Sequence, residues 1–154
     1  MASLRQLPPD DSTSAALIAE LDAELGRHTP RQHMHGLHAG EEQDPRLRFF
    51  VVEEHGQSIG CGALRELEPG VAELKRMFVR RPFRGKGFGR QLLEQLERRA
   101  QDAGIHTLRL ETSWMLEDAL SLYRAAGYTE IPLYGEYTGS PYSVCMEKRF
   151  APPR

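Results

Sequence analysis

Leu17, Ile18, Leu21 and Leu25 fall on one helical face, behind Asp11-Ser12-Thr13-Ser14, which offers several N-cap side chains, and ahead of Gly26. This spacing predicts a helix over residues 14–26. Residues 27–46 are polar, rich in histidine and without a period, as in a loop or a short irregular helix. Phe49-Phe50-Val51-Val52 is an apolar run, His55-Gly56-Gln57-Ser58 a turn, and Ile59 to Leu67 a returning strand. Glu68-Pro69-Gly70 turns again into a strand from Val71 to Val79. Strands joined by such short turns predict an antiparallel meander of three.

The pattern changes at Arg80. Arg80 to Lys86 is basic and irregular. Phe88, Leu92, Leu93, Leu96 and Ala100 then form one apolar stripe opposite Arg90, Glu94, Glu97 and Arg98, with Gly104 placed as a C-cap. That is a helix over residues 88–103. Thr107 to Thr112 alternates as a strand. Ala119, Leu120, Leu122, Tyr123 and Ala126 make a short amphipathic helix closed by Gly127, and Tyr128–Ile131 and Tyr142–Phe150 supply the last strands. Strands first, then strand and helix in alternation, predict an α/β (α+β) domain over residues 1–154, without repeats or linkers: a mixed, twisted sheet with helices on its faces.

A length of 154 residues suits one domain that buries about 70% of its unfolded surface. Formal net charge is −2, too small to recruit nucleic acid or an anionic membrane, so any basic patch must be local. The two cysteines, Cys61 and Cys145, lack metal or redox spacing and suit buried thiols in a reducing compartment. No stretch reaches the roughly 20 apolar residues of a membrane span, and Met1 to Asp10 lacks the apolar run of a signal peptide. The expectation is a cytoplasmic protein with neither a nucleic-acid nor a membrane partner, and compatible with a homodimer.

Chemistry concentrates in Arg84-Gly85-Lys86-Gly87-Phe88-Gly89, between a strand and an amphipathic helix. Alternating glycines leave the backbone N–H groups bare where a helix start already presents unpaired donors and positive potential. Such a turn suits a phosphate or pyrophosphate. A Walker loop would need Ser or Thr after Lys86, and a Rossmann turn would read GxGxxG after the first strand of a βαβ unit. A basic surface turn and a nucleotide-binding loop are the competing readings.

The residues Arg84, Gly87 and Gly89 match Arg/Gln-x-x-Gly-x-Gly/Ala, and with Met77-Phe78-Val79 before them and Leu122-Tyr123-Arg124-Ala125-Ala126-Gly127-Tyr128 after, residues 49–149 resemble the GNAT superfamily of N-acetyltransferases. Glu73-Leu74-Lys75-Arg76-Met77, Leu110-Glu111-Thr112 and Ile131 to Tyr137 look like a bacterial subgroup of poorly defined substrate. The resemblance implies a sheet of about six to seven strands with about four helices. It implies that Arg84, Gly85, Lys86, Gly87, Phe88, Gly89 and Arg90 hold the pyrophosphate of acetyl-CoA, and that Met77, Phe78 and Val79 pair with its pantetheine arm as an added strand would. Ala119 belongs to the same coenzyme site, and strands 71–79 and 106–112 splay to admit the thioester. One departure is Leu116, where many family members carry an asparagine that bonds the coenzyme.

Acyl transfer to an amine needs a base for the ammonium, an N–H donor for the carbonyl oxygen and a proton for the departing thiolate. Tyr123 matches the family's acid, with packing as its alternative. Glu73, acting through water, is the first choice of base and Glu111 the reserve, while a backbone N–H of Met77 or Phe78 serves the carbonyl. A β-bulge in residues 71–79 would change which side chains face the slot. His28, His33, His35 and His38 show no fixed metal scaffold, so no metal is expected; His33 and His35 edge the acceptor pocket, with Tyr134, Tyr137 and Tyr142 as an aromatic lip. The expected activity is acetylation of a primary amine on a small or amino-acid-like acceptor by direct attack in a ternary complex. A coenzyme-binding sensor without turnover, or an enzyme acting on protein lysines or N-termini, are the alternatives.

Overall fold

The computed structural model describes residues 2–28 and 44–151, and of residues 27 and 28 the backbone alone. Strands β1 (Ser3–Leu7), β2 (Leu47–Glu54), β3 (Gln57–Glu68), β4 (Val71–Val79), β5 (Thr107–Ser113), β6 (Thr129–Ile131) and β7 (Ser143–Arg149) form one sheet in the order β1-β2-β3-β4-β5-β7-β6. Only β4 and β5 run parallel; the other neighbours are antiparallel. Three α-helices lie among the described residues: α1 (Ser12–His28), α2 (Phe88–Asp102) and α3 (Glu117–Ala125). The count is slightly below the expected four, and single 3-10 turns at Arg81–Phe83 and Gly135–Tyr137 supplement them. None of the described helices is long and apolar enough to cross a membrane.

Phe49 to Val52 of β2 form an unbroken apolar run because both faces of the strand are covered there. Phe50 and Val52 pack with Leu92, Leu93 and Leu96 of α2 and Leu120 and Tyr123 of α3. Phe49 and Val51 point the other way, to Leu17 and Leu21 of α1, with Cys61, Ala63 and Phe78. The two clusters put helices on both faces of the sheet. A Leu→Ala change at fully buried Leu92 or Leu96 would cost about 2–5 kcal/mol.

β1 is the element that sequence patterning does not reveal. Its five residues, Ser-Leu-Arg-Gln-Leu, carry two apolar side chains, too few for a period, and it exists because β2 offers an edge to pair with. At the far side of the sheet, Glu97 of α2 is buried yet accepts hydrogen bonds from Tyr128 Oη (2.9 Å) and Lys148 Nζ (3.1 Å). This pins the helix to the sheet through a satisfied polar cluster.

Candidate active site

Pairing between β4 and β5 runs from Val71–Thr107 to Leu74–Leu110 and stops, although β4 continues to Val79 and β5 to Ser113. A bulge accompanies the separation. Cys61 opposes Phe78 while Ala63 opposes Lys75, so two steps along β3 face three along β4. Arg76 takes up the extra residue with a left-handed φ of 56°, unusual for a side chain of its size. Gly60 makes the bulge fit: a Cβ there would stand 2.2 Å from the Phe78 carbonyl oxygen.

The gap holds a cavity of about 140 Å³. α1 contributes Leu21 and Leu25, β4 contributes Leu74, Lys75, Arg76 and Met77, and β5 contributes Glu111, Thr112 and Ser113. Leu116, Ala119 and Tyr123 close it at α3, and Tyr137 and Tyr142 close it on the segment between β6 and β7. Side-chain alternation assigns the faces. Ala72, Leu74, Leu108 and Leu110 belong to the cluster under α2 and α3, so Glu73, Lys75 and Glu111 project to the α1 side. Tyr123 reaches the gap from the opposite side.

The glycine turn stands beside this gap. Gly85 and Gly87 have φ values of 77° and 86°, and a Cβ on either would meet nothing within 4 Å. The first hydrogen bond of α2 is Gln91 N–H to Gly87 O, at 3.2 Å, and among the described residues the N–H groups of residues 85–90 donate to no carbonyl. A Cβ at Gly89 would lie 3.8 Å from Val79 Cγ2 and 3.6 Å from Leu122 Cδ2, which sets the turn between the end of β4 and α3. Open amides at a 15-residue helix's N-terminus are the chemistry a diphosphate requires, so the turn fits the coenzyme expected of it.

The charged side chains around the turn are differently disposed. Arg84 donates through Nε to Val79 O (2.7 Å) and through Nη1 to Glu24 Oε1 (2.8 Å), and it stacks over Phe78. Arg81 also reaches Glu24, Arg80 reaches Glu20, and Arg76 reaches Asp22. The acidic face of α1 thus neutralises the basic loop, and hydrogen bonding from Arg84 holds the Glu24 carboxyl below its ordinary range. Arg90 pairs with Glu94 one turn along α2, while Lys86 is exposed.

The carboxylates differ sharply. Glu73 is 2% exposed, is absent from the cavity lining, accepts from Tyr134 Oη at 2.5 Å and lies 3.6 Å from Lys75 Nζ. Glu111 lines the cavity and accepts from Ser143 Oγ at 2.6 Å. Burial pushes its pKa up to about 7; the Ser143 bond opposes this, the charges of Glu73 and Glu136 add to it, and Lys75 lowers it. Tyr123, 8% exposed, packs edge-on to Tyr128 at 5.8 Å, and burial raises its phenol well above the usual range. Tyr134 and Tyr137 meet edge-to-face at 5.4 Å, Tyr137 in the cavity wall and Tyr134 turned to Glu73.

Met77 faces the α2 side with Val79, and Phe78 faces α1. Leu116, at the asparagine position, caps α3 through its backbone and gives the cavity an apolar wall. His33 and His35, like His38, lie outside the described residues. Lys75 lines the cavity by strand alternation and Arg76 because the bulge turns it there; the sequence held both in a subgroup motif without giving either a role. No group of His, Cys, Asp and Glu among the described residues could hold a metal ion.

Known proteins share this architecture. The sequence profile of the acetyltransferase (GNAT) family matches residues 11–128. An IAA acetyltransferase of Azospirillum brasilense is 39% identical over 145 residues, 94% of this chain and 94% of that protein. A structure from Klebsiella pneumoniae subsp. pneumoniae, described as an acyl-CoA N-acyltransferase, is 31% identical with a TM-score of 0.82, covering 98% of this chain and 99% of its own. A GNAT family acetyltransferase of Elizabethkingia anophelis, solved with acetyl-CoA bound, has the same fold at 16% identity and a TM-score of 0.71, covering 97% of this chain and 98% of its own. With the profile spanning most of the sequence and such identity along nearly all of it, the chain belongs to the acetyltransferase (GNAT) family of acetyl-CoA-dependent N-acetyltransferases.

Proposed function

We propose that residues 1–154 act as one cytoplasmic catalytic domain that moves the acetyl group of acetyl-CoA to a primary amine of a small or amino-acid-like acceptor, by direct attack in a ternary complex. The observation that carries this is the β4–β5 gap, which puts Glu111 and Tyr123 into one cavity from opposite faces of the sheet. The coenzyme's diphosphate rests on the amides of residues 85–90, and its thioester supplies the activated acyl group. Gly85 and Gly87 keep the cradle free of side chains. The acceptor enters from the α1 side, past Leu21 and Leu25.

A lysine-like amine has a pKa of about 10.4 and arrives protonated. Glu111, with a pKa of about 7, is about half ionised at neutral pH and more so above it, and is well matched to accept that proton. This exchanges the order of the two carboxylates read from sequence: Glu73 is occupied by Tyr134 and Lys75 and acts on Glu111 through its charge. Tyr123 remains protonated because its pKa is raised, and it faces the gap from α3, where the departing thiolate needs a proton. Burial pushes the thiols of Cys61 and Cys145 up to about 12 and about 11, which leaves neither as a ready nucleophile and favours direct attack over an acyl-enzyme.

Release of free coenzyme thiol in the presence of a panel of amines tests the reading. Turnover on at least one small amine is expected. Tight acetyl-CoA binding with no turnover on any amine, peptide lysines included, would make the chain a coenzyme-binding module instead.

A further inference from the structure

Lys75 and Glu111 are the first residues of β4 and β5 beyond the last paired positions, Leu74 and Leu110. Alternation turns both to the α1 side, and both line the cavity. They therefore stand on opposite banks of the gap mouth with opposite charges, close enough for Lys75 to lower the pKa of Glu111. Arg76, next on β4, lines the same cavity with a side chain 5% exposed. Its left-handed backbone keeps two consecutive cationic side chains at the cavity, where a regular strand would send the second to the far face.

We infer that the acceptor is a zwitterion, an amino acid whose carboxylate is received by Lys75 and Arg76 while its amine is delivered to Glu111. The inference rests on the acetyltransferase reading and names the acceptor class and the residues that select it. A plain alkylamine would meet Glu111 and add nothing to the two cations beyond the carboxylates that already hold them. An amino acid matches both banks. Asp22 holds one edge of the Arg76 guanidinium, and Glu73 and Glu136 lie 3.6 and 3.8 Å from Lys75 Nζ, so both cations are positioned before the acceptor arrives.

The experiment compares amino acids of both enantiomers with their primary amides and the matching plain amines, by thiol release from acetyl-CoA. The amide's amine is the weaker base and sheds its proton more readily, so the comparison is biased against the inference. The amino acid is expected to exceed amide and amine in kcat/KM by roughly tenfold or more. Lys75→Gln should erase that preference, raising KM for the amino acid roughly ten- to a hundred-fold with a smaller change in kcat. Amides or amines used as well as the acids, or a preference that survives Lys75→Gln, would overturn the inference and leave the acetyltransferase standing. If no amine of any class releases thiol while acetyl-CoA binds, both fall together. The substrate comparison needs no variant, so it decides the matter even if Lys75→Gln fails to fold.

Discussion

Ser143 Oγ donates a hydrogen bond to Glu111 Oε2 across 2.6 Å, from the strand next to it, and fixes the carboxylate at the mouth of the β4–β5 gap. The bond favours ionisation, yet burial and the charges of Glu73 and Glu136 outweigh it and leave the pKa at about 7. Activity should therefore rise along a single acidic limb centred near pH 7 in kcat/KM for the acceptor. Glu111→Gln should remove the limb and lower turnover roughly a hundred-fold or more. A limb that persists in the variant would assign the proton to another group.

The same shift has a stability consequence. The folded pKa of Glu111 lies above the ordinary value of 4.5, so its contribution is fully present below about pH 4.5 and is lost as pH rises through about 7. Ionised Glu111 then weighs against the fold by at most about 3 kcal/mol. Thermal melts at pH 5 and pH 8 should show Glu111→Gln gaining on the parent at the higher pH. Equal shifts at both would contradict the buried, raised carboxyl.

Gly87→Asp tests the turn. The left-handed φ of 86° tolerates Asp better than most residues, so the fold should survive, while a carboxylate would stand where the diphosphate must lie. Acetyl-CoA affinity by calorimetry should fall by roughly two orders of magnitude or more. Gly87→Ala controls for backbone strain without the charge. Unchanged affinity in the Asp variant would remove the loop from the coenzyme site.

Tyr123→Phe keeps the ring that packs on Tyr128 and deletes only the hydroxyl. Turnover should drop roughly ten- to a hundred-fold with acetyl-CoA affinity near normal. Full activity would leave Tyr123 a packing residue.

Glu73→Gln separates charge from contact. Removing the negative charge withdraws one of the influences that raise the Glu111 pKa, so the acidic limb should move to lower pH. A limb unmoved by the substitution would show that Glu73 serves only to hold Tyr134 and Lys75.

Much of this was legible before any fold was known. The stripe Leu92, Leu93, Leu96 and Ala100 and the turns at Gly56 and Gly70 report local periodicity and local backbone geometry, which sequence carries directly. The glycine turn was equally legible, because bare amides at a helix start need no distant partner. β1 was not, since an edge strand with two apolar residues has no period of its own. Nor was the rank of Glu73 and Glu111, whose burial and partners come from β6–β7 residues 61 and 32 positions away in the chain.

The amino-acid sequence by itself determined the layered α/β architecture and the open glycine turn ahead of α2, because each follows from spacing within an element; the roles of Tyr123, Glu73 and Glu111 came only from the family resemblance. Tertiary structure alone decided that β4 bulges at Arg76, that Lys75 and Glu111 confront each other across the opened strands, and that Glu111 titrates near neutrality. Those properties arise from register, burial and charges brought together across the sheet, and no local pattern encodes them.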